Sequence, residues 1–89
     1  MTYANRARDG EILRDVCLMS KEMWQARQQV DDILIDWDQL NDLVHQTFAA
    51  SAAKSVGVQG KEWRDLLHRY RAPGQTMLQL CSQAQLAAS

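Results

Sequence analysis

Apolar positions recur along the first half of the chain in alternating steps of four and three: Ile12, Val16, Met19, Met23, Ala26, Val30, Ile33, Trp37, Leu40 and Val44. This is the heptad seam of a helix that packs on other helices. No Pro interrupts it, and no Gly occurs between Gly10 and Gly57. The pattern predicts one long amphipathic helix over about 9–55, on the order of 70 Å long at 1.5 Å per residue. Asp9 is expected to cap its first turn, and residues 1–8 to form a flexible N-terminal arm. Leu13, Leu34, Leu43 and Phe48 flank the seam and make it wider than a two-stranded coil requires. A wider stripe calls for a second packing layer.

The C-terminal part is the expected source of that layer. Gly57 is placed to end the long helix in a left-handed cap. A second helix is expected over about 61–71, with Trp63, Leu66, Leu67 and Tyr70 on one side. Pro73-Gly74 breaks it, and a third helix is expected over about 75–87, carrying Met77, Leu80, Cys81 and Ala84. Few β-branched and aromatic residues stand beside many Ala, Leu and Gln, which favours helix over sheet. The expected fold is all-α: a single helical domain, 1–89, with the two shorter helices folded back on the long one as a hairpin. Together those two span roughly 40 Å and reach back only to about residue 30. Ile12, Val16, Met19, Met23, Trp24 and Val30 are then left without cover, which names them as the interface for a second copy or another protein, through a coiled-coil-like seam.

Length and charge sharpen this picture. A domain of 89 residues buries a modest share of its surface and gains from association. The net charge of −1 gives no global attraction to nucleic acid or to an anionic membrane. Locally the charges form blocks. Residues 31–50 carry Asp31, Asp32, Asp36, Asp38 and Asp42 and no Lys or Arg, whereas residues 51–71 carry Lys54, Lys61, Arg64, Arg69 and Arg71 against Glu62 and Asp65. A hairpin at Gly57 turns the blocks toward each other. Cys17 and Cys81 are expected as half-buried free thiols, because the hairpin sets Cys81 opposite the low thirties. No apolar run has membrane-spanning length and MTYANRARDG lacks a signal-peptide core, so the expected location is cytoplasmic.

Candidate chemistry is sparse. Asp32 with Asp36, and Asp38 with Asp42, share helix faces. Asp42 and His45 have the spacing of a carboxylate–His ligand pair, but the second such motif of a di-iron bundle is missing. A solvated acidic face, or one that docks a basic partner, is the better account. His45 and His68 have no Ser or Cys at a triad spacing. No catalytic residue, metal or cofactor is therefore expected. Residues 52–71, AAKSVGVQGKEWRDLLHRYR, hold the offsets of a helix-turn-helix at Ala53, Val56, Gly57, Val58, Trp63 and Leu66. Lys61, Arg64, His68 and Arg71 then line one exposed face as DNA contacts. The same stretch serves as the elbow of a helical hairpin, which the acidic block and the near-neutral overall charge favour. The leading expectation is a non-enzymatic helical interaction module (an adaptor, dedicated chaperone or inhibitor). The alternative is a dimeric DNA-binding regulator reading through residues 52–71.

Overall fold

A computed structural model describes residues 6–88. Its helices are α1 (Arg6–Asp31), α2 (Asp42–Ser55), α3 (Gly60–Tyr70) and α4 (Met77–Ala88), with a 3₁₀ turn at Trp37–Gln39. There is no strand among the described residues. Most of the expected N-terminal arm, residues 1–5, lies outside them, and Arg6–Arg8 already belong to α1.

The helix expected over 9–55 is two helices. Asp31 and Asp32 set negative charge at the C-terminal end of α1, where the helix dipole opposes it. Asp32 then takes a left-handed conformation, φ 55°, which Asp tolerates better than most side chains. Asn41 starts the next helix by accepting the Val44 N–H on its side-chain oxygen at 3.0 Å. α2 packs along α1, and the molecule measures 48 × 26 × 24 Å rather than forming a rod.

The fold-back changes what covers the seam. Leu13, Val16 and Cys17 of α1 meet Ala49, Ala52 and Ala53 of α2, Trp63 and Leu66 of α3, and Met77, Leu80, Cys81 and Ala84 of α4 in one core. The alanines remove side-chain bulk where α2 approaches α1. The premise of an uncovered N-terminal seam does not hold, because Val16 is wholly buried within the chain.

The elbow forms where Gly57 was expected to place it. Gly57 has φ +86°. The Val58 N–H donates to the Ala53 carbonyl at 2.8 Å and the Gly57 N–H to the Lys54 carbonyl at 3.2 Å, the two bonds of a Schellman cap. The second break is equally local. Pro73 and Gly74 occupy the centre of a turn closed by Gln75 N–H to the Ala72 carbonyl at 3.0 Å, a Pro-Gly order suited to type II. Thr76 and Gln79 exchange backbone and side-chain bonds at 3.2 and 3.0 Å and cap α4.

Two further expectations are corrected. Asp9 does not cap α1 but sits in its first turn. Its carboxylate accepts from Arg69 Nη1 at 2.8 Å and from the Tyr70 hydroxyl at 2.6 Å, tying α1 to α3. The hydrogen bond to Asp9, then burial, raise the Tyr70 pKa. Cys17 and Cys81 are not free thiols. They form a disulfide between α1 and α4, with Cα atoms 5.6 Å apart. The hairpin register assumed one continuous helix. With α1 ending at Asp31, α4 lies against the middle of α1 instead.

Candidate functional site

The connection between α1 and α2 is acidic, apolar and braced. Four of the seven large apolar side chains that stand exposed among the described residues fall in it or in the helix turns that flank it: Val30, Leu34, Ile35 and Leu43, with Leu34 96% exposed. Asp31, Asp32, Asp36 and Asp38 are exposed around them.

Local chemistry fixes this display. The Trp24 indole N–H donates to the Ile35 carbonyl at 3.3 Å, and the Gln28 amide donates to the same oxygen. Asp36 accepts the Asp38 N–H at 3.1 Å and caps the 3₁₀ turn. His45, buried, donates from Nε2 to the Trp37 carbonyl at 2.8 Å. Trp37 stacks edge-on to His45 at 4.6 Å, and Trp24 meets Phe48 edge-on at 5.6 Å. The aromatic rings pack inward under the loop, and Leu34 is left on its outer side. Apolar side chains held outward by a rigid backbone lose little freedom on docking, which favours binding.

Asp42 closes the loop onto the rest of the fold. Its carboxylate accepts the Met77 N–H at 2.6 Å, the Gln46 amide at 2.5 Å and Arg71 Nη2 at 3.0 Å. Burial pushes its pKa up. The Met77 and Gln46 hydrogen bonds and the charges of Arg71 and His45 outweigh that and hold it below the ordinary carboxylate value. A carboxylate with a lowered folded pKa contributes stability above its unfolded pKa, and that stability is lost as pH falls through the folded value. Asp42→Asn should therefore lower the melting temperature at neutral pH and flatten its decline as pH falls below about 4. Thermal melts across that range measure both.

The sequence-predicted residues are dispersed. Val16 and Trp24 are buried; Ile12, Met19 and Met23 are half-buried against the core; Val30 is exposed. Asp42 and His45 turn to different partners rather than to a shared ligand position. Among the described residues no cluster of three or more His, Cys, Asp or Glu side chains is arranged to hold a metal. A polar cavity of about 230 Å³ lies beside the disulfide, lined in part by Lys21, Asp38 and His45. Both cysteines there are bonded, so they offer no thiol nucleophile.

At the elbow, Lys61, Arg64 and His68 are exposed along α3. Arg71 is not available in the same way, since it bonds Asp42 and donates to the Gln75 carbonyl at 2.8 Å. An open groove of about 690 Å³ runs beside the turn, lined by Ala53, Gly57, Val58 and Trp63 together with Lys54 and Arg64. Leu34 and Leu43 were expected to widen the apolar stripe and lie under a second layer supplied by the C-terminal helices, and Ile35 drew no expectation. The acidic block surrounding them was the signal that set this stretch apart. No family model, curated protein or solved structure matches the chain.

Proposed function

We propose that this protein is a non-enzymatic helical interaction module that docks on a protein partner through residues 30–43. The observation that carries this is the braced acidic loop with Leu34 almost wholly exposed at its crest. An apolar anchor that can be buried on contact, ringed by charge that selects the partner, is the usual division of labour at an interface. The partner surface is apolar with a basic rim. The interface expected from the sequence, centred on Val16, moves to the end of the bundle.

A photo-crosslinking amino acid in place of Leu34, introduced in the native host, tests this. Protein adducts are expected from position 34 and not from Glu62 on α3, and Leu43→Asp should suppress them. Absence of any adduct at position 34 removes the proposal.

The DNA reading has one observation in its favour. Ala53, Val58, Trp63 and Leu66 are buried while Lys61, Arg64 and His68 face outward, as a helix-turn-helix requires. Glu62 and Asp65 are exposed on the same helix, and Arg71 is engaged with Asp42. Titration of random duplex DNA at low salt separates the two: a true reading head binds tighter than about 10⁻⁶ M, and loses affinity steeply as salt rises. The cytoplasmic expectation rested on the lack of a spanning run and of a signal-peptide core. The Cys17–Cys81 bond suits a non-reducing compartment better.

A further inference from the structure

The loop and the elbow groove are complementary, and they sit at opposite ends of α2. The loop offers Leu34 among Asp32, Asp36 and Asp38, while Asp31 is paired with Arg27 at 2.8 Å. The groove is lined by the exposed Ala50, Gly57 and Gly60 over the buried Ala53, Val58 and Trp63, with the cations Lys54 and Arg64 beside it. Arg69 and Arg71 of the basic block already answer Asp9 and Asp42 inside the chain. Lys54, Lys61 and Arg64 remain exposed. The fourteen residues of α2 separate the two features by about 21 Å, so a chain's loop cannot enter its own groove.

We infer that the groove receives the acidic loop of a second copy of this chain, in a head-to-tail contact with Leu34 seated in the groove between Lys54 and Arg64. This rests on residues 30–43 being a docking face. The Arg71–Asp42 pair displays the same chemistry within one chain: an acid of the 31–50 block meeting a cation of the 51–71 block. The contact joins different surfaces, so each copy keeps one unused loop and one unused groove. Such a contact grows chains or closes a ring. Opposed charges speed the encounter, and salt weakens it.

Two variants test it by complementation. Leu34→Glu disables the loop and leaves the groove intact. Lys54→Glu with Arg64→Glu disables the groove and leaves the loop intact. All three positions are exposed, and circular dichroism checks that both variants remain folded. The wild type should gain mass by light scattering between about 10 µM and 1 mM, and lose it again in about 0.5 M salt. Each variant alone should associate about tenfold or more weakly. An equimolar mixture should yield a discrete dimer and nothing larger, since only one functional loop and one functional groove meet. A wild type that stays monomeric, or a mixture that stays monomeric, overturns the contact. A monomeric wild type that still gives adducts to a different protein at position 34 rejects the self-contact and leaves the docking face standing. No adduct of any kind rejects both.

Discussion

Val16→Asp should strongly destabilise the protein, whereas Val30→Asp, two heptads further along the same seam, should leave its stability nearly unchanged. The two positions are equivalent in the apolar pattern and opposite in the structure, with exposures of 0% and 83%. A carboxylate at residue 16 is enclosed by the core with no built partner, and such a change costs more than about 4 kcal/mol. A domain of this size has roughly 5–15 kcal/mol in total, so the loss takes from about a quarter to about four fifths of its stability. At residue 30 the new carboxylate stays in water, and the change is within about 0.5 kcal/mol. Urea titration of both variants by circular dichroism measures the contrast. A Val16→Asp protein that keeps its stability and loses only assembly mass would mean that the seam faces a partner and that α2 and α4 do not cover it.

What could be read from the sequence and what could not divide along a physical line. Features set by a few neighbouring residues were legible. Gly57 fixes the elbow. Helices expected over about 61–71 and 75–87 are found at Gly60–Tyr70 and Met77–Ala88. Pro73 and Gly74 make the break between them. The end of α1 was hidden because the apolar period runs on through Ile33, Trp37, Leu40 and Val44. Those residues are half-buried, so the period reports burial across Ile33, Trp37 and Leu40, where the backbone has left the α-helix, and on into α2 at Val44. Asp31, Asp32 and the capping Asn41 were the local signs of the break, and a seam of ten positions outweighed them. The disulfide was out of reach because pairing residues so far apart depends on the register of the whole bundle. The candidate site was legible in its charge and not in its apolar part. The acidic block stood out as a face for solvent or for a basic partner. Only the fold-back shows Leu34 and Leu43 outside the core while Leu13, also a flanking leucine, lies within it.

Loss of the Cys17–Cys81 bond should lower stability by about 4 kcal/mol, the chain-entropy value for so large a loop. The cysteines are 64 residues apart in sequence, so the bond closes most of the chain into a ring and restricts the unfolded state strongly. For a domain of this length, that corresponds to a fall in melting temperature of roughly 20 °C. Cys17→Ala with Cys81→Ala, melted beside the reduced wild type, makes the comparison, and the two should nearly coincide. Helicity at low temperature should survive in both. α4 remains attached through Met77 to Asp42 and capped by Thr76 and Gln79, and its apolar face still packs on α1. The same bond bears on where the protein works. In a reducing cytosol it would be lost, leaving the chain at the weaker end of that comparison. Alkylating the protein at the moment its host is broken open, then weighing it without reductant, reports its state. A chain lighter by two hydrogens and unlabelled carries the bond in place. A doubly alkylated chain as stable as the oxidised one would mean that α4 does not lie where the disulfide puts it.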